Sequence, residues 1–300
     1  MLGNYKNIIQ AIGHTPLIRI NKLNKNKNVT IWAKAEGFNP TGSIKDRIAL
    51  KMIEQAENES ALTKEKTILE ATSGNTGISL AMIAAVKGYK LSVVMSEAVS
   101  EERQKIIKAF GAQVILTPKD MGTDGAIKKV ETMKAKEPDK YFLTNQFTNK
   151  YNKLAHYRTT AQEIWEQTGG EIDYFVSSIG TSGTIMGIGK ALKENKPDIK
   201  VVCAHPEKDH YIQGLKNLEE AIIPAIYDPA LIDIKIDIAT EKAFEMSREI
   251  VKREGIFVGM SSGAAMLAAL NVASTLSSGN IVVILPDRGE KYLSTPLFSV

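Results

Sequence analysis

At 300 residues the chain is long enough to bury a large core, as one large domain or two intertwined ones. Its apolar fraction of 43% and charged fraction of 24% are those of an ordinary soluble globular protein. The net charge of +4 is small and spread out, and the densest basic run, NKLNKNKN at 21–28, lacks aromatics and reads as a solvated loop, so nucleic acid is excluded as a partner.

The opening MLGNYKNIIQAIGHTPL has no basic segment followed by an apolar one, so no secretory leader is expected. No apolar run approaches the ~20 residues of a membrane span. A single cysteine, Cys203, permits no intrachain disulfide and fits a reducing compartment. A cytoplasmic protein is the simplest expectation.

In chain order, the strand TIWAKAE runs into GFNPTGSIKD, which puts Lys45 just inside a helix start. A lysine followed at once by Asp and Arg is ordinarily surface decoration, but the turn before this one is built with care. TILEA (67–71), LSVVMS (91–96) and AQVILT (112–117) read as buried strands. The segments SGNTGISLAMIAAVKG and SEERQKIIKAFG between them read as helices closed by Gly88 and Gly111. Helices are then expected over 152–168, 184–194, 240–253 and 261–276, and strands at DYFVSS (173–178), KVVCAH (200–205) and NIVVILP (280–286). Such alternation predicts mostly parallel sheets wrapped by helices, in two α/β clusters parted near Gln146.

Three turns share one design, in which a strand ends, glycines and hydroxyls follow, and a helix begins: GFNPTGSIKD, ATSGNTG (71–77) and SIGTSGTIMG (178–187). Such turns lie at the carboxyl ends of parallel strands, where ligands bind, and a helix start attracts phosphate or carboxylate. They are not nucleotide loops. Gly37 and Gly42 have the Walker spacing but Ser43 stands where lysine is required, and no G-x-G-x-x-G follows a strand. A ligand carrying both a phosphate and a carboxylate is implied. His14, His156, His205 and His210 show no metal-ligand spacing, and no GxSxG elbow occurs, so neither a metal nor a serine triad is expected.

PTGSIKDR, TSGNTG, GTSGT and GMSSGAA, in this order and spacing, resemble the fold-type II pyridoxal-phosphate enzymes, and among them the cysteine synthases. The likeness runs nearly end to end, through GHTPLIRI, QFTNKYNKLAHYRTTAQEIW and REGIFVGMSSGAA. It is closest to the short B-type through AHYRTTAQEIW, DRGEKYLST and IQGLKNLEEAIIPAIYDP. The resemblance implies a tryptophan synthase β-like fold of two intertwined three-layer α/β domains. One, with the substrate loop, would span 1–12 and 35–146; the other, which binds the cofactor phosphate, would span 13–34 and 147–300.

It also implies the site. Lys45 would hold pyridoxal 5'-phosphate as a Schiff base and carry the substrate's Cα proton, which requires a neutral amine favoured by desolvation. Asn75 would bond the cofactor's ring oxygen, and Gly180, Thr181, Ser182, Gly183 and Thr184 would cradle its phosphate. Thr72, Ser73, Asn75 and Thr76, with Gln146, would grip the substrate carboxylate. Ser261 would face the pyridine nitrogen, where a hydroxyl leaves the ring largely neutral and favours β-replacement. The implied reaction makes L-cysteine from an activated serine and sulfide, or another sulfur donor, through an aminoacrylate.

Several choices stay open. Lys216 stands where a branch that accepts O-phosphoserine has arginine, so O-acetylserine leads O-phosphoserine only slightly. Cystathionine β-synthase, a cysteine lyase releasing hydrogen sulfide, and serine or threonine dehydratases would share Lys45 and the phosphate loop. The chain stops soon after YLST, which argues against an appended regulatory domain. A non-catalytic paralogue is disfavoured by Lys45, Asn75 and Ser261 together. The family implies a homodimer, and a serine acetyltransferase tail or a sulfur-carrier protein as partner.

Overall fold

The computed structural model describes residues 4–72 and 74–299. Along the chain these form β1 (Leu17–Arg19), β2 (Val29–Ala35), α1 (Lys45–Asn58), β3 (Thr67–Ala71), α2 (Asn75–Lys87), β4 (Lys90–Ser96), α3 (Glu101–Ala109), β5 (Gln113–Thr117), α4 (Gly122–Lys136) and β6 (Tyr141–Leu143). They continue with α5 (Lys150–Arg158), α6 (Thr160–Thr168), β7 (Tyr174–Ser178), α7 (Gly183–Asn195), β8 (Lys200–Pro206), β9 (Ile234–Ile238), α8 (Thr240–Glu249), α9 (Met260–Thr275) and β10 (Gly279–Leu285).

The chain divides into two compact units, Met1–Ile12 with Asn39–Tyr151, and Gly13–Phe38 with Asn152–Val300. The second and third crossings fall a few residues beyond the expected 34/35 and 146/147. β2 is held whole in the second unit because all of it pairs with β10. Within the first unit the parallel sheet has the order β5-β4-β3-β6. Ile68, Val93 and Met95 pack on α1, α2 and α3, while Leu69 and Val94 on the opposite face meet Ala126 and Val130 of α4. A strand covered on both faces must be apolar throughout, which is why TILEA and LSVVMS lack clean alternation.

The second unit's sheet has the order β1-β2-β10-β7-β8-β9, parallel except for β1 against β2. Ile31, Val176, Val202 and Val283 face α9, whose MSSGAAMLAALNVAST is small and apolar nearly all round. Small side chains let that helix lie close on the sheet. The opposite face of β2 carries Lys34, fully buried, which donates to the Thr15 carbonyl at 2.7 Å, to Glu163 of α6 at 2.7 Å and to Gln167 at 2.8 Å.

Several elements differ from the expectation, and β1, α4 and β6 were not anticipated at all. The single helix over 152–168 is two, broken at Thr159 (φ −122°, ψ −71°), whose hydroxyl joins its own N–H on the Ala155 carbonyl, a back-bonding that bends helices. The helix at 240–253 ends as α8 and passes into a π-turn, Ile250–Glu254. β9 was not anticipated: IKIDI is a half-exposed edge strand with clean alternation. No described helix is long and apolar enough to cross a membrane.

The Lys34–Glu163 pair sets how α6 seats on β2. Lys34→Met is expected to cost about 3 kcal/mol, because a largely buried carboxylate loses its cation. Lys34→Met/Glu163→Leu should recover most of that loss, read from urea unfolding midpoints.

Candidate active site

In the first unit, the turn before α1 closes with the Gly42 N–H donating to the Asn39 carbonyl at 2.8 Å, Gly42 taking φ +75°, a left-handed conformation that suits glycine. Asp46, fully buried, clamps this turn by accepting from the Thr41 N–H at 2.8 Å and from the Thr41 hydroxyl. The Ser79 hydroxyl of α2 sits 2.5 Å from Asp46 Oδ1 and 3.0 Å from the Asn75 carbonyl. Lys45, half-buried as the first residue of α1, is thereby tied to the helix start that carries Asn75.

The second turn follows β3. Ser73 lies outside the described residues, but its neighbours are placed. Thr72 accepts from the Gly74 N–H at 3.1 Å, and the buried Thr76 donates to Gln146 Oε1 at 2.7 Å. Gln146 Nε2 in turn donates to Glu70 Oε1 at 3.0 Å and to the Ala71 carbonyl at 3.2 Å. Thr72, Thr76 and Gln146 are thus brought together. Glu70 was missed by sequence reasoning; its one signal is a carboxylate inside the apolar run TILEA. Burial pushes it up to about 7, against hydrogen bonds from Thr144, Gln146 and the backbone of Gln146 and Asn145 that hold it down.

In the second unit β7 ends at Ser178 and α7 begins at Gly183. A side chain at Gly183 would meet Asn152 Oδ1 at 1.9 Å, so the backbone there is packed as closely as glycine allows. Asn152 Nδ2 donates to Thr181 Oγ1 at 3.0 Å, and the Thr184 hydroxyl lies 3.3 Å from His156 Nε2. Ser182 takes φ +65°, and its buried hydroxyl has no hydrogen-bond partner among the described residues. The Lys216 N–H donates to the Ile179 carbonyl at 3.0 Å, which lays that segment beside Gly180. Ser261 is buried in the first turn of α9, which packs on β7, β8 and β10. The one thiol, Cys203, is pushed up to about 12 by burial and supplies no nucleophile.

Residues 8–287 match the family described as pyridoxal-phosphate dependent enzymes. The chain belongs to that family. A cysteine synthase of Aquifex aeolicus is 47% identical over 97% of this chain and 92% of its own. Cysteine synthase B of Salmonella typhimurium is 43% identical over 96% and 95% respectively. The crystal structure of a cysteine synthase from Entamoeba histolytica superposes with a TM-score of 0.94 at 42% identity, covering 100% of this chain and 92% of that one.

The residues present fit pyridoxal phosphate. A buried hydroxyl without a partner among the described residues, a helix start whose first N–H groups need acceptors, and a backbone kept bare by Gly183 together suit a phosphate dianion. No carboxylate competes for it within this loop, GTSGT. Ser182 holds a left-handed conformation that costs a side chain about 1 kcal/mol. Ser182→Gly should therefore leave the cofactor-free protein as stable as before or more so. It should also weaken cofactor binding about tenfold by removing one hydrogen bond to a charged group. Thermal melts of the apoprotein and a cofactor titration check both.

Proposed function

We infer that this chain catalyses a pyridoxal-phosphate-dependent β-replacement, making L-cysteine from an activated serine and a sulfur nucleophile. The reading rests on a phosphate cradle at the start of α7 and a hydroxyl-rich turn at the start of α2, in a chain of this family. Lys45 holds the cofactor's aldehyde carbon and carries the Cα proton of the substrate. Both tasks need the amine in its neutral form. The bound cofactor supplies the electron sink that makes that Cα–H acidic.

Every other task falls to the protein. Residues 180–184 anchor the phosphate and Asn75 holds the ring oxygen. Ser261 would offer the pyridine nitrogen a hydroxyl rather than a carboxylate, which suits β-replacement. Thr72, Ser73, Asn75 and Thr76, helped by Gln146, orient the substrate carboxylate and close over it to exclude water. Lys216, whose backbone runs beside the phosphate cradle, pairs with the second phosphate when the donor is O-phosphoserine. The reading extends to a cytoplasmic homodimer, supported by the family likeness and by a single, buried cysteine.

Product analysis tests it. Loaded enzyme is supplied with O-acetylserine or O-phosphoserine and with sulfide, thiosulfate or homocysteine. Cysteine from O-acetylserine and sulfide is the expected main product. Cystathionine as the main product, or sulfide release from cysteine without net synthesis, would overturn the reading. Lys216→Ala should lower turnover of O-phosphoserine about tenfold, the worth of one charge-assisted bond, and spare O-acetylserine.

A further inference from the structure

Glu70 lies on β3 with 3% of its surface exposed, on the same face as the fully buried Ile68. Burying a carboxylate in an apolar strand is costly unless its oxygens are satisfied by donors. Here they are. Thr144 donates its hydroxyl, Gln146 donates Nε2 at 3.0 Å, and the backbone of Asn145 and of Gln146 bonds it as well. Asn145 takes φ +50°, a left-handed conformation unusual for a side-chain-bearing residue, and successive N–H groups in such a bend make a concavity for an anion. Segment 144–146 is thus folded around one carboxylate.

The consequence reaches the substrate turn through chemistry that has one solution. Glu70 Oε1 and the Ala71 carbonyl lie 3.0 and 3.2 Å from the same end of the Gln146 amide. A carbonyl can only accept, and an ionised carboxylate can only accept, so that end must be Nε2. The amide oxygen then necessarily faces Thr76, whose hydroxyl donates to it at 2.7 Å. The rotamer of Thr76, in the first turn of α2, follows from the carboxylate on β3.

We propose that Glu70 is a positioning residue for the α-carboxylate seat, acting through the Gln146 amide on Thr76. The inference rests on the reading of the turn at 72–76 as that seat.

The test compares Glu70→Ala, Gln146→Ala and the double variant in holoenzyme, assayed above neutral pH. Glu70→Ala is expected to raise KM for the amino-acid substrate about tenfold, as loss of a buried charge-assisted bond does. It should leave kcat within about threefold, because the loss falls on substrate binding. Cofactor absorbance and KM for sulfide should not move. The double variant should be no worse than Gln146→Ala, because the two act in series. Glu70→Gln, which keeps one acceptor oxygen for Gln146 and lets Thr144 accept instead of donate, should restore most of the KM. Should the alanine variant not fold, Glu70→Met fills the volume without an acceptor and carries the same expectation.

An unchanged amino-acid KM in the folded variant, or additive effects in the double variant, would overturn the proposal. Thr72→Ala and Ser73→Ala report on the turn itself. If they leave the amino-acid KM unchanged, the reading of the turn falls; if they raise it while Glu70→Ala is silent, only the role of Glu70 falls. Amide hydrogen exchange of 144–146 in the cofactor-free protein gives a readout apart from activity, with protection expected to drop in Glu70→Ala and an unchanged pattern counting against the proposal.

Discussion

A helix start leaves N–H groups without partners, and this protein sets helix starts at the ends of parallel strands. That constraint governs the rest. α2 begins four residues after β3, and α7 five after β7, so each sheet delivers donors to the mouth of its own unit. Anions are the natural occupants of such places. An amino-acid carboxylate and a cofactor phosphate are anions of the required kind, and in the proposed function the lysine at the start of α1 would supply the covalent chemistry that neither helix start can.

Holding these starts in place is costly, and the cost falls near the site. Ser182 and Asn145 are side-chain-bearing residues in left-handed backbone, Asp46 and Glu70 are buried carboxylates, and the Ser182 hydroxyl is buried without a partner among the described residues. Each would be destabilising in isolation. Both carboxylates are repaid by donors from loops. Asp46 gathers the turn before Lys45 and ties it to α2, and Glu70 gathers segment 144–146 and ties it to Thr76. Two buried acids thus fix the two turns of the first unit that the chemistry would use.

Much of this was legible in the sequence. Parallel strands buried on both faces are near-continuous β-branched runs, and TILEA, LSVVMS and KVVCAH announce themselves. The glycine- and hydroxyl-rich turns were legible because only a few residue types leave a helix start open to an anion. Apart from α4, what escaped depends on partners distant in the chain. β9 is short and half-exposed, and its identity comes from pairing with β8. The break at Thr159 separates two stretches that are each good helix. Asp46 and Arg47 have the look of surface charge beside a lysine, yet they are 0% and 4% exposed. Glu70 is an ordinary acid until segment 144–146, more than seventy residues on, is seen to close around it.

The central claim is a covalent bond between the ε-amino group of Lys45 and the aldehyde of the cofactor whose phosphate sits at the start of α7. Borohydride reduction of the holoenzyme followed by peptide mass mapping tests it most directly. The account predicts one reduced pyridoxyl label, on Lys45, and its loss in Lys45→Ala. A label on any other lysine, or a protein that takes up the cofactor and yields no label, would contradict it.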